Sequence, residues 1–139
     1  MYTHGMFEWM LARAQAFTST GDKLYWSPGL QPVLIRGWSL TVTTAVTSAD
    51  PVTVNIDKRV TAGSDTGRVA DIVGSITLPG GTAAGKCYYK RGFQAKISPG
   101  EEIVVECTDA AVACNATVVL LLEPSWEEPA NNSNMVASA

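Results

Sequence analysis

Gly80-Gly-Thr-Ala-Ala-Gly-Lys86 matches the first seven positions of a phosphate-binding loop, in which backbone N–H groups cradle phosphates and the lysine reaches the outer ones. The eighth position, where serine or threonine would hold magnesium, is Cys87. The next segment, Tyr88-Tyr-Lys-Arg-Gly-Phe93, reads as strand where an anion site needs a helix N-terminus. Nucleotide binding is not expected. Asp65-Thr-Gly67 is the tripeptide of aspartic proteases, whose chemistry buries two carboxylates sharing a proton between apolar strands. Here it lies between Gly63-Ser64 and Arg68, in a polar stretch that predicts an exposed turn. The acidic pairs Glu101-Glu102 and Glu127-Glu128 are adjacent in the chain and do not converge as a general acid and base must. Asp50, Asp57, Asp65 and Asp71 do not fall in a loop with oxygen ligands at alternating positions and a turn glycine. His4 is the single histidine, so the many serines and threonines have no other conceivable base. No catalytic residue, no cofactor and no metal site is expected, and the chain is read as not an enzyme.

Charge and cysteines narrow the classes further. A net charge of −3 carries no footprint for nucleic acid, whose binding rests on Lys and Arg neutralising phosphates. Lys86, Lys90, Arg91 and Lys96 do cluster, but Glu101, Glu102 and Glu106 come directly after them, and the group is read as the solvated face of neighbouring strands. Cys87, Cys107 and Cys114 show neither a CxxC pair nor zinc spacing, and are expected to be buried free thiols. One pairing, Cys107 with Cys114 across a hairpin, stays open, because sequence does not supply the geometry a disulfide demands. Glu8 and Arg13 interrupt the apolar stretch from Met6 to Phe17, so no secretory signal is expected. No stretch is apolar for long enough to span a bilayer as a helix, and no membrane partner is expected. Assembly in the cytoplasm is the expectation.

The elements that must position any surface are short β-branched runs between Gly, Pro, Asp and Ser. A chain of 139 residues suits one domain. Lys23 to Tyr25 reads as a short edge strand. A long strand runs from Val33 to about Ser48 with a bulge at Gly37, because Arg36 otherwise falls on the apolar face of Leu34, Trp38, Leu40 and Val42. Further strands are expected at 52–60, 68–78, 86–97 with a bulge at Gly92, 103–108 and 117–123, with Ser98-Pro-Gly-Glu101 as a β-turn. This predicts an all-β, single-domain, jelly-roll-like sandwich of about eight strands over residues 18–124. Residues 1–17 form an N-terminal arm, either an amphipathic helix or an extended arm ending as a first strand near Ala14 to Thr18. Residues 125–139 form a polar, Pro-broken tail. Phe7, Trp9 and Met10 in the arm, and Trp126 and Met135 in the tail, are the large apolar side chains expected to bind a partner.

The run Ile97-Ser-Pro-Gly-Glu-Glu-Ile-Val-Val-Glu-Cys-Thr-Asp-Ala-Ala, then Val118-Val-Leu-Leu-Leu-Glu-Pro-Ser-Trp-Glu-Glu-Pro-Ala-Asn-Asn-Ser-Asn-Met, resembles the decoration or cement proteins of tailed-bacteriophage capsids. The resemblance rests on a Pro-Gly turn opening a Glu/Val strand, a small-residue loop, an apolar last strand and a Pro/Asn tail closing on Met. It implies a jelly roll that sits as a homotrimer on the exterior of the virion and clasps the major capsid protein and its own copies with arms. Two other classes stay open. One is a tail or baseplate component with a carbohydrate site, for which Tyr25, Trp26, Trp38, Tyr88 and Tyr89 are the stacking candidates; the other, a small all-β hydrolase, is disfavoured by the residue inventory.

Overall fold

A computed structural model describes residues 9–125. Eight strands succeed one another: β1 (Trp9–Ala16), β2 (Gly21–Trp26), β3 (Val33–Thr44), β4 (Val52–Arg59), β5 (Ser75–Leu78), β6 (Cys87–Ile97), β7 (Glu102–Asp109) and β8 (Asn115–Pro124). They form two four-stranded sheets, β1-β8-β3-β6 and β2-β7-β4-β5. The antiparallel pairs β4 with β5, β3 with β6, β2 with β7 and β1 with β8 are those of one long ribbon doubled back at its middle. Wrapping that ribbon brings β3 onto β8 and β4 onto β7. The result is a jelly roll, as the strand count and turn spacing predict.

Alternation builds the core. Ala116, Val118, Leu120 and Leu122 of β8 face Val52, Val54 and Ile56 of β4 and Ile103, Val105 and Cys107 of β7 within one buried cluster. Each fully buried aliphatic side chain of this kind contributes about 2 kcal/mol. Phe17, just past β1, is fully buried and closes one end.

In β3 the buried set is Val33, Ile35, then Trp38, Leu40 and Val42, so the phase changes between Ile35 and Trp38. Pairing with both neighbours slips at the same place, between Ile35 and Gly37. The bulge therefore turns Arg36 outward, and it turns Leu34 outward too, away from the face shared by Trp38, Leu40 and Val42. Glycine is required at position 37 by contact, since a Cβ there would sit 2.8 Å from the Lys90 carbonyl oxygen. Gly92, with φ of 90°, supplies the matching irregularity in β6.

Two expectations need correction, and one open alternative is decided. Residues 68–74 are loop, because a turn with the Gly74 N–H donating to the Asp71 carbonyl, at positive φ for both, delays the strand until Ser75. Glu101, Glu102 and Glu106 are not strand neighbours of the basic residues of β6. The turn at Ser98 to Glu101, with Gly100 at φ of 92°, carries the chain from one sheet to the other. Of the two forms considered for residues 1–17, Trp9–Ala16 takes the strand, pairing with β8 from Trp9 opposite Leu122 to Ala16 opposite Asn115.

Candidate interaction surface

Val118-Val-Leu-Leu-Leu122 is apolar on both strand parities. Its even positions fill the core, so Val119 and Leu121 must face outward from the first sheet. The register assembles three rows there: Met10, Leu121, Gly37 and Arg91; then Ala12, Val119, Ser39 and Tyr89; then Ala14, Thr117, Thr41 and Cys87. Because Gly37 and Ser39 carry little or no side chain, the centre of this face sinks between β8 and β6. The trough holds about 370 Å³, with Met10, Val119 and Leu121 as its apolar side and Tyr89 and Arg91 as its aromatic and basic side, while Lys90, opposite the buried Trp38, turns its side chain to the other face beside Gly74. Met10 is 70% exposed and Tyr89 61%. The Arg91 guanidinium lies 4.8 Å from the centre of the Tyr89 ring, a stacking worth about 0.5 kcal/mol at an exposed site. Neither Lys90 nor Arg91 has a carboxylate within ion-pair distance among the described residues.

At the edge of this face Arg36 Nη1 donates to Glu123 Oε1 at 2.9 Å. Beyond it the chain leaves under a clamp: the Ser125 N–H donates to the Pro32 carbonyl at 2.8 Å, and Gln31 Nε2 donates to the Ser125 carbonyl at 2.8 Å. Leu30, next to that clamp, is 98% exposed.

The outer face of the second sheet is closed. Arg68 Nη2 reaches Asp57 Oδ2 on β4 at 2.8 Å and Asp22 Oδ1 on β2 at 2.7 Å. Since β7 lies between β4 and β2, the arginine crosses over Val104, which is outward-facing yet fully buried. Arg59 adds pairs to Asp22, Asp65 and Glu102. The Asp71 N–H donates to Asp57 Oδ1, and an isolated bridge joins Val69 to Lys58. Hydrogen bonds from Arg68 hold the carboxyls of Asp22 and Asp65 below the usual aspartate range, and those carboxylates raise the Arg68 guanidinium in turn. Burial pushes Glu106 up. Chemically this is a clamp on residues 60–74, with its cations and carboxylates occupied by one another. Asp65-Thr-Gly67 is a turn, the Arg68 N–H donating to the Asp65 carbonyl, and Asp65 belongs to the clamp.

Other sequence candidates are dispersed. Lys86 is exposed ahead of β6, and the first glycine of its run packs on Ser48, whose carbonyl oxygen would lie 2.6 Å from a Cβ on Gly80. Cys107 and Cys114 are buried free thiols, burial pushing Cys107 up to about 11, whereas Cys87, expected buried, is exposed on the outer face of the first sheet. Among the described residues no three His, Cys, Asp or Glu side chains are placed to hold a metal ion. Trp38 is buried, its Nε1 donating to the Val73 carbonyl at 2.9 Å. Trp26 borders a gap of only about 50 Å³ between the sheet edges. Tyr25 stacks with Arg59 on the second sheet and Tyr89 with Arg91 on the first, so they form no common platform. Met10 stands on the trough and Trp9 begins β1; Phe7, Trp126 and Met135 lie outside the described residues. The trough is not among the sequence expectations, although the unbroken apolar run of β8 is its signal, since a strand with one wet face alternates.

No family model matches the chain, and no curated protein matches it. Among solved structures it is similar to a chain of the acid-stable capsid of Helicobacter pylori bacteriophage KHP30, with TM-score 0.42 and 13% identity over 87% of this chain and 90% of that one. It is also similar to a chain of the capsid asymmetric unit of cyanophage Pam1, with TM-score 0.45 and 15% identity over 89% of this chain and 90% of that one.

Proposed function

We propose that this chain is a structural virion protein, a capsid decoration or cement protein that binds the outer surface of a shell of major capsid protein and stabilises it. The observation that carries the reading is the clamp at Ser125, whose N–H donates to the Pro32 carbonyl and whose carbonyl accepts from Gln31, fixing the last described residue at one end of the sandwich. Trp9 pairs with Leu122 near the same end, so β1, with Trp9 and Met10, begins where β8 leads in sequence to Trp126 and Met135, and these residues, with Phe7, are the proposed contacts to one partner. The resemblance of residues 97–111 and 118–135 to the cement proteins supports the same reading, with a homotrimer as the assembly. An acidic balance suits the outside of a capsid better than its DNA-lined interior. No chemistry is needed for the effect, because a bridging protein stabilises the assembled shell by its binding free energy, multiplied over many copies. The reading as a carbohydrate-binding tail component gains nothing from Tyr25 and Tyr89 on different sheets.

Deleting residues 126–139, which keeps Ser125 and its clamp, tests the reading. The truncated protein should keep its thermal transition yet cosediment with undecorated shells several-fold less than the full chain, and shells carrying it should lose heat resistance. Undiminished occupancy with unchanged shell stability would remove the tail from the attachment.

A further inference from the structure

The first sheet is basic on a chain whose net charge is −3. Its strands bear Arg13, Arg36, Lys90, Arg91 and Lys96 against one carboxylate, Glu123. The strands of the second sheet bear Asp22, Asp57, Glu102, Glu106 and Asp109 against Lys23, Lys58 and Arg59. Register puts Lys96 beside the outward Leu34, so it shares the outer face with Arg36 and Arg91, and the one carboxylate there, Glu123, is paired with Arg36 and 2% exposed. We infer that the trough on this face receives an acidic, extended segment of the shell protein carrying a large apolar side chain, so that the first sheet meets the shell and the clamped second sheet points away from it. This docking presupposes the shell-binding role and assigns it a face.

Chemistry selects the residue types of the occupant. Met10, Val119 and Leu121 give an apolar seat, and the Tyr89 ring with Arg91 stacked on it forms the opposite side. Arg91 has no carboxylate within ion-pair distance among the described residues, so an acid from outside is the partner it lacks. Met, Tyr and Arg are residue types that interfaces favour, Tyr and Arg above all where binding energy concentrates. Shape selects an extended segment. The floor is Gly37 and Ser39 of β3, so the depression lies open along the sheet between β8 and β6 and does not enclose a small molecule. Charge disfavours a second copy of this chain. Its own first sheet is basic as well, and on its second sheet Asp22, Asp57 and Glu102 are held by Arg59 and Arg68.

Cys87 reports on this face directly, because it lines the trough and is exposed, whereas Cys107 and Cys114 are buried. N-ethylmaleimide should alkylate Cys87 readily in the free full chain and about tenfold more slowly once the protein occupies undecorated shells, a ratio read by mass spectrometry of the Cys87 peptide. Arg91→Glu and Met10→Asp should each lower shell occupancy about tenfold with the thermal transition in place, and Arg91→Lys should retain much of it. Added salt should weaken the unaltered chain more than Arg91→Glu. Full occupancy with Cys87 as reactive as in solution, or occupancy indifferent to Arg91→Glu, would overturn the inference and leave the shell-binding role standing. A chain that fails to occupy shells at all would remove both. Protection of Cys87 in the free protein, together with a dimer in sedimentation equilibrium, would give the trough to a second copy and overturn the inference as well.

Discussion

Across the second sheet, the Arg68 side chain from the loop 60–74 spans the strands and, with Arg59, ties that loop down; across the first, no described segment lies over Met10, Val119 and Leu121. Both faces contain an outward-pointing aliphatic residue, Val104 on one and Leu121 on the other. Val104 is fully buried because an arginine from a loop spans it. Leu121 keeps part of its surface and borders an open trough. The difference teaches where the chain meets its own needs and where it leaves them to something else. The closed face spends its charges internally, and the open face presents apolar area with one cation, Arg91, that finds no carboxylate among the described residues.

The contrast is broken most severely at Arg68. Replacing it with Met leaves Asp57, 2% exposed, without its cation, and should cost about 3 kcal/mol in urea denaturation. Protease cleavage within 60–74 should appear at the same time. Gly37→Ala acts on the open face: the new Cβ meets the Lys90 carbonyl, β6 must shift, and a loss of about 2 kcal/mol is expected, read from the same denaturation curves.

Acid should separate the faces more gently. Asp22 and Asp65 are held below their ordinary value of 3.8, so their contribution is complete above that pH and drains away as pH falls through the lowered folded-state values. Glu106 has the opposite sign. Its folded-state value is raised above 4.5, so stability rises slightly as pH falls toward 4.5 before the aspartates take over. The denaturation midpoint should therefore pass through a shallow maximum and then drop below about pH 4. Arg68→Met should flatten that drop; a drop of equal depth in the variant would detach it from the clamp. The smallest effect belongs to Tyr89→Ala, where a mostly exposed ring over Arg91 should change stability by no more than about 0.5 kcal/mol. A larger loss in the melting curve would mean that the open face supports the fold.

Much of the fold was legible because strand patterns are local. Val52, Val54 and Ile56 alternate with polar residues, and they are buried as that alternation requires. The bulge in β3 was legible through one misplaced residue: Arg36 on an apolar face demands a change of phase, and Gly37 beside it is the residue that permits the close approach of β6. The Asp71–Gly74 turn was not legible, since Val69 and Ile72 carry strand propensity and their backbone bonds to Lys58 and Ile56 run along the edge of β4 beyond the end of β5.

Composition and period alone determined an all-β sandwich with turns at Ser98 and Gly80, an apolar-rich N-terminal segment and a polar C-terminal tail carrying Trp126 and Met135. Tertiary structure decided which strands became neighbours. That pairing brought Asp22, Asp57, Asp65, Glu102 and Glu106 around Arg59 and Arg68 from distant parts of the chain, and it put Met10 of β1 beside Leu121 of β8. The physical reason is one of range. A side chain's face is set by its immediate neighbours through a period of two, whereas a charge cluster or a trough depends on register between strands up to about a hundred residues apart, which no local pattern encodes.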